Sequence, residues 1–340
     1  MARRSTHVIA RLRAVSARLA TVALFAVAAA SFPSAAAFAE SVATGSAGAP
    51  DDVPAAFAPL AGAMRNWGKS PAGVNDWECR PADAQHRPVV LVHGTGRGMQ
   101  ESWGNLADPN IKGPLVEDLA NDGRCVYALN YGSAFDFPTL SMKWGFAAIE
   151  NSAADLGAFV DAVLAHTGAT QVDVVGHSQG GTVTREYLRT SPDRTKIHSL
   201  VMLAPPSHGS TLGGEFTSEA DARNKLAPIA VQQQAIDSAF LKRLNEGQET
   251  FPGIDYTVIA TKSDQTITPS DSSFLVPAPA TSVHNMYVQD VCGNQDLVVW
   301  HSRPFPNSSE SKGPGLLDHD VPRFLVRQAL DPTLSGTPPC

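Results

Sequence analysis

The stretch Gly176-His177-Ser178-Gln179-Gly180 constrains this chain more than any other. The apolar run Val172-Asp173-Val174-Val175 precedes it, and Gly181 to Leu188, which can be helical, follows. A G-x-S-x-G pattern between a strand and a helix is a nucleophile elbow, a turn so sharp that it strains the serine backbone and stands Ser178 Oγ above the sheet. The bare pattern is weak evidence, since three fixed residues of ordinary usage arise by chance in roughly one chain in ten of this length. The strand before it, the helix after it and the further glycine at 181 carry the reading instead.

The surrounding pattern alternates apolar runs with helical segments. Strands are expected at 88–92, 126–131, 171–175, 199–203, 256–261 and 286–289. Residues 149–165 place Ile149, Ala153, Leu156, Val160 and Val163 at helical steps, with Gly168 suited to the helix end. Residues 204–250 carry loops and short helices, and 321–330 the last helix. Continuous apolar strands between helices mean an α/β chain with a mostly parallel central sheet, helices on both faces and a small cap or loop region. With the elbow, this is the α/β-hydrolase fold.

The first 39 residues read as a secretory signal peptide. Arg3, Arg4, Arg11, Arg13 and Arg18 form a basic start without an acid, Leu19 to Ala30 is too short an apolar run to span a bilayer, and Ala37-Phe38-Ala39 is a small-x-small cleavage site before Glu40. Arg3-Arg4 lacks the apolar residues two positions on that a twin-arginine signal needs, so general secretion to the outside is expected. Residues 40–75 read as a lead-in and strap, and 76–340 as the catalytic domain. Five of the 26 Lys and Arg precede residue 40, leaving 21 against 33 acids and a mature charge of about −12. Such an acidic surface argues against nucleic acid or anionic lipid as a partner. No other run approaches membrane-spanning length, and a monomer without stable membrane insertion is expected.

Four cysteines in a secreted chain, Cys79, Cys125, Cys292 and Cys340, suggest two disulfides. Of three pairings, neighbour pairing is favoured: Cys79 and Cys125 bracket the first two strands, Cys292 and Cys340 the last strand and the C-terminus. No C-x-x-C exists, which argues against zinc.

Acyl transfer by Ser178 needs an oxyanion hole, an acid and a base. The residue after the nucleophile, Gln179, supplies one backbone N–H. The Gly-rich loop His93-Gly94-Thr95-Gly96 after the first strand is the place for the second, from Thr95. His93 and His177 read as packed, structural residues. The chain order Ser, acid, His puts the acid at Asp264, just past strand 256–261 at the carboxyl edge where sites form, with Asp290 as its competitor. The base is His301 or His319, both between the last strand and the last helix; His284 precedes its strand, on the wrong edge. Phe135 to Trp144 and residues 205–235 are candidate walls of an acyl pocket.

Taken together, Pro88 to Gly96, Cys125 to Gly132, the elbow, Leu203-Ala204-Pro205 with His208-Gly209, and Ile259-Ala260-Thr261 resemble the secreted class 2 triacylglycerol lipases of actinobacteria and, more distantly, Candida antarctica lipase B. The resemblance runs from about Asp76 to Cys340. It implies hydrolysis of carboxylic esters such as acylglycerols, neither metal nor cofactor, the triad Ser178, Asp264 and His301, the oxyanion hole at Thr95 and Gln179, and the pairings Cys79–Cys125 and Cys292–Cys340. It favours His301 because the family's base lies shortly after a cysteine closing the last strand. The polar run after His301 departs from the family pattern, which keeps His319 as the alternative. Two other classes suit the same residues: an acyltransferase of the cell envelope, and a hydrolase-fold binding protein without catalysis.

Overall fold

A computed structural model describes residues 69–83, 85–136, 141–303 and 313–340. The expected leader, most of the lead-in, Phe137 to Leu140 of the expected pocket wall and most of the polar run after His301 lie outside the described residues.

Strand β1 (Val89–Val92) starts the sheet. After it come helices α1 (Met99–Trp103) and α2 (Pro114–Asn121), strand β2 (Val126–Leu129), and a hairpin of β3 (Ala134–Asp136) and β4 (Ser141–Lys143). Helix α3 (Ile149–Thr167) leads to β5 (Val172–His177), α4 (Gln179–Thr190) and β6 (Ile197–Leu203). Three short helices, α5 (Glu219–Asn224), α6 (Ile229–Gln234) and α7 (Ala239–Asn245), precede β7 (Asp255–Ala260). Strand β8 (Val283–Tyr287) runs into α8 (Val288–Val291), and α9 (Asp320–Leu330) is last.

The main sheet has the order β2-β1-β5-β6-β7-β8, with every neighbouring pair parallel. Alternating residues of one strand point to opposite faces, and the core divides accordingly. Val90 and Val92 join Leu156, Val160 and Val163 of α3 and Leu188 of α4 on one face. Val89 and Leu91 join Leu115 and Leu119 of α2 and Leu325 and Val326 of α9 on the other. Both faces are therefore covered, as runs of β-branched residues without polar alternation require.

The chain order reverses direction across the sheet at β1 and β5: from β1 the chain goes out to β2, then returns to β5 on the far side. Ligands of open α/β sheets bind at the carboxyl ends of the strands at such a switch point. Register aligns Val92 with Gly176, so the loop after β1 and the elbow after β5 leave the sheet side by side.

The strand expected at 286–289 lies earlier, at Val283–Tyr287. Edge strand β8 presents the exposed His284 and Asn285, which broke the apolar signal there. Val288 and Gln289 are both buried and belong to α8. Gln289 turns the chain out of the sheet, accepting from Lys262 N–H and donating to Thr261 Oγ1 and the Leu297 carbonyl. His284 is thus inside its strand, opposite Thr257, and not ahead of it. Strand β2 stops two residues short of the expected end because Asn130 turns its amide oxygen onto Met99 N–H, 2.7 Å away.

Asn75 lies along the outer edge of β2. Its N–H donates to the Val126 carbonyl, its side chain donates to the Ala128 carbonyl, and its amide oxygen accepts from Ala128 N–H. It thereby satisfies edge groups that would otherwise be a template for a foreign strand. The disulfides Cys79–Cys125 and Cys292–Cys340 fasten this segment to β2 and the C-terminus to α8.

Candidate active site

Ser178 sits between β5 and α4 with φ +52° and ψ −124°, a left-handed conformation that costs a non-glycine residue about 1–3 kcal/mol. The glycines of the motif make this turn possible. A Cβ on Gly176 would lie 2.6 Å from Gly181 N, and one on Gly180 only 2.1 Å from the Val92 carbonyl oxygen. Across the switch point, a Cβ on Gly94 would come within 3.1 Å of Ser178 Cβ. The loop after β1 therefore lies directly against the elbow.

Gln179 is the first residue of α4, so its N–H has no intrahelical acceptor. Thr95 belongs to the opposing loop. Gly145 closes the gap between them: a Cβ there would stand 2.7 Å from Gln179 Oε1, 3.1 Å from the Gly94 carbonyl and 3.3 Å from Thr95 Cα. The loop is propped from beneath by His93 and Tyr131, whose rings stack 4.1 Å apart at 7°. Tyr131 donates its hydroxyl to the His93 carbonyl and reaches the Gln179 amide oxygen. His93 is fully buried, and desolvation pushes its pKa down to about 4. It is a neutral packed residue whose Nδ1–H donates to the Gly94 carbonyl at 2.9 Å.

Asp264 lies in the loop after β7. Its Oδ1 accepts from Thr266 N–H and Ile267 N–H, each at 2.8 Å, and its Oδ2 from His301 Nδ1 at 2.8 Å. Three donors on one carboxylate fix its orientation. The Asp264 and His301 side chains are 1% and 8% exposed. The bond to Asp264 occupies Nδ1 of His301, and among the described residues no protein group bonds its Nε2.

Further bonds fix His301 in the fold. Its carbonyl accepts from His177 Nε2 at 2.9 Å, and the two rings lie 4.9 Å apart. A carbonyl can only accept, so His177 is the Nε2–H tautomer. Burial, followed by the nearby His301, pushes its pKa well below the ordinary histidine value, which keeps it neutral. Just before His301, the Val299 carbonyl accepts from Thr261 Oγ1 and Trp300 pairs with Gly315. Just after it, Arg303 donates to the carbonyls of Ser102 and Gly104 and pairs with Asp318, while Arg97 donates to the Arg303 carbonyl.

The competing residues lie elsewhere. Asp290 is half-exposed and bonds Lys262 and Gln295. His319 caps α9, its Nδ1 accepting from Val321 N–H at 3.2 Å. His284 is exposed on the edge strand. Sequence reasoning missed the bond from His177 to His301. No spacing in the chain signals it, because it spans 124 positions and ends on a backbone atom. It missed Gln234 too, whose Nε2 lies 3.1 Å from Thr95 Oγ1.

A buried carboxylate–imidazole pair, joined through the His301 carbonyl to the neighbour of a strained serine, is equipped for acyl transfer. Similarity to known proteins points the same way. Over 162 residues the chain is 32% identical to a triacylglycerol lipase of Burkholderia plantarii, covering 46% of this chain and 38% of that protein. Over 130 residues it is 31% identical to a triacylglycerol lipase of Pseudarthrobacter phenanthrenivorans, covering 37% and 35%. The chain thus spans less than two-fifths of the length of these relatives. Its fold is similar to that in the crystal structure of Aspergillus fumigatus lipase B, with a TM-score of 0.56 and 20% identity over 85% of this chain and 60% of that one. The family model described as lipase (class 2) matches residues 86–290, from the strand before the glycine loop to the end of the sheet, and the chain belongs to that family.

Proposed function

We propose that this protein is a secreted carboxylic ester hydrolase of the lipase type, acting as a monomer on acylglycerols or similar esters. The observation that carries the reading is the buried Asp264–His301 pair at 2.8 Å, anchored to His177, the residue next to Ser178. In this reading His301 Nε2 takes the proton of Ser178 Oγ as it attacks the ester carbonyl. The oxyanion is held by the N–H groups of Gln179 and Thr95, the alcohol leaves with the proton from His301, and water then attacks the acyl-enzyme with His301 as base again. Asp264 holds the imidazole in the required tautomer and offsets its charge while it carries the proton. The names of the two lipase relatives support acylglycerols as the substrate class. The basic, apolar, small-x-small run of residues 1–39 supports export and cleavage before Glu40.

The test is turnover of p-nitrophenyl esters from short to long acyl chains by purified wild type and three variants. Ser178→Ala and His301→Ala should each lower kcat by several orders of magnitude, because members of a triad act as a unit. His319→Ala should stay near wild type, as a helix cap. Ser178→Ala activity within tenfold of wild type, or collapse in His319→Ala with His301→Ala intact, would overturn the assignment.

A further inference from the structure

Arg97 lies two residues past Thr95, and Arg303 two residues past His301. The two arginines lace together the segments that carry them. Arg97 Nη2 donates to the Arg303 carbonyl at 2.8 Å. Arg303 reaches back to α1, the helix that directly continues the Arg97 loop. Its Nη1 donates to the Gly104 carbonyl and its Nη2 to the Ser102 carbonyl, both at 3.1 Å. The last carbonyls of a helix accept no intrahelical bond and favour a cation. The planar fork of a guanidinium can serve two of them at once.

Asp318 balances the charge of Arg303. Its Oδ1 stands 3.2 Å from Arg303 Nη2, and both side chains are largely buried. Burial raises the Asp318 pKa, and the charge of Arg303 opposes that rise. Asp318 is itself fixed relative to His301. Trp300 N–H donates to the Pro314 carbonyl, Leu316 N–H to the Trp300 carbonyl and Asp318 N–H to the Gly315 carbonyl. Arg303 is therefore held on three sides: by α1, by the Asp318 carboxylate and, through its own carbonyl, by the buried Arg97.

We propose that Arg303 is a positioning residue for His301: together with Arg97 it fixes the span between the base and the Gly-rich loop after β1. The proposal rests on the ester-hydrolase reading above. Acyl transfer needs the imidazole close to Ser178 Oγ and the oxyanion donors close to the same ester carbonyl, both at once. The bonds to Asp264 and His177 tie His301 to the β7 and β5 side of the site. The arginines supply the tie to the β1 side. A shift of about 1 Å between reacting groups costs about a hundredfold in rate. Substrate binding does not depend on that alignment, so the effect falls on kcat and leaves KM alone.

The test compares thermal melts with turnover of p-nitrophenyl butyrate. Arg303→Met combined with Asp318→Leu removes both buried charges together, so neither is left unpaired. This double variant should melt near wild type yet lose at least about tenfold in kcat, with KM within about twofold. Arg303→Lys keeps a charge for Asp318 but not the fork for two carbonyls, and should fall by a similar factor. Arg97→Met cuts the span from the other side; it should also lower kcat at least about tenfold and serves if the double variant does not fold. Added to the double variant, it should cost less than about a further twofold, since both act on one span. A merely structural role would let kcat recover wherever the melting temperature does. A stable double variant less than about tenfold down in kcat, full rescue by lysine, or a loss that appears in KM overturns the proposal. Fluorophosphonate labelling of Ser178 separates the two levels. Absence of labelling in wild type refutes the hydrolase reading itself, whereas a labelled wild type with unimpaired variants refutes only the role of the arginines.

Discussion

Gly180→Ala tests whether the elbow geometry is as tight as described. The new Cβ would stand 2.1 Å from the Val92 carbonyl oxygen, 2.7 Å from Val92 C and 2.9 Å from the His93 carbonyl oxygen. Ordinary carbon contacts lie near 3.5–4.0 Å, so the start of α4 must part from β1 by more than about 1 Å. Nothing flexible can yield: all three atoms are backbone, and Val92 is fully buried in a central strand paired on both sides. Overpacking of this kind costs about 1–3 kcal/mol, and backbone neighbours place it at the upper end. A loss of about 3 kcal/mol in a domain of this size lowers the melting temperature by roughly 5–10 °C. The activity should suffer more, because the displaced residues carry Ser178 and the Gln179 N–H, and a 1 Å misplacement costs about a hundredfold in rate. Gly181→Ala is the contrast. Its Cβ would meet Pro205 Cβ at 2.9 Å and the Met202 side chain at 3.0–3.1 Å. Met202 can change rotamer, so a smaller loss of stability and little loss of rate are expected. Thermal melts and kcat on p-nitrophenyl butyrate measure both. A Gly180→Ala protein that melts and turns over like wild type would refute the argument, as would equal losses in the two variants.

Removing either disulfide, by Cys79→Ala with Cys125→Ala or by Cys292→Ala with Cys340→Ala, should destabilise by about 4 kcal/mol on the chain-entropy account, since the closed loops are 46 and 48 residues long. Urea melts of each pair read this, and a change under about 1 kcal/mol would contradict it. The His208–Glu249 pair, at 2.8 Å, gives a pH dependence. The hydrogen bond to Glu249 raises the His208 pKa above its unfolded 6.5. Burial alone would raise the Glu249 pKa, but the bonds from His208 and Val276 N–H outweigh it and hold it below 4.5. The contribution of His208 is therefore full below pH 6.5 and lost as pH rises through its raised pKa. That of Glu249 is full above pH 4.5 and lost on acidification. The melting temperature of wild type over His208→Gln should be higher by more at pH 6 than at pH 9, though screening of the half-exposed ring keeps the difference below about 1 kcal/mol. A gap that widens toward pH 9 would reverse the sign.

The alternation of β1, β2, β5, β6 and β7 with their helices was legible in the sequence because parallel strands buried on both faces are uninterrupted apolar runs. The elbow was legible because Gly176 must clear the backbone of Gly180 and Gly181, a local cause with a local signature, whereas the reason for Gly180, the backbone of Val92 and His93, lies across the sheet. Strand β8 was misplaced because an edge strand needs no apolar run: His284 and Asn285 face solvent, while Val288 and Gln289, at the end of the expected run, pack as a helix. Helices α1 and α2 and the β3–β4 hairpin went unread, the helices being too short for periodicity to show and the strands too short to alternate. In the site, Asp264 was indicated by its place past a strand end. His301 and His319 share the same loop region, and topology alone could not rank them. What separates their surroundings is a set of bonds across more than thirty positions, from Asp264 to His301 and from His177 to its carbonyl, which no window of sequence contains.

The Trp300–Gly315 bridge and the Arg303 clamp on α1 have an evolutionary consequence. They tie both ends of the polar run after His301 to the body of the domain, so the histidine is mechanically insulated from the stretch 304–312. Changes of length or composition arising in that stretch should therefore leave the Asp264–His301 hydrogen bond in place. The same insulation makes it a grafting point: exchange of 304–312 for a Gly-Ser stretch of equal length should leave kcat unchanged, and a loss beyond about tenfold would show that the anchors do not suffice.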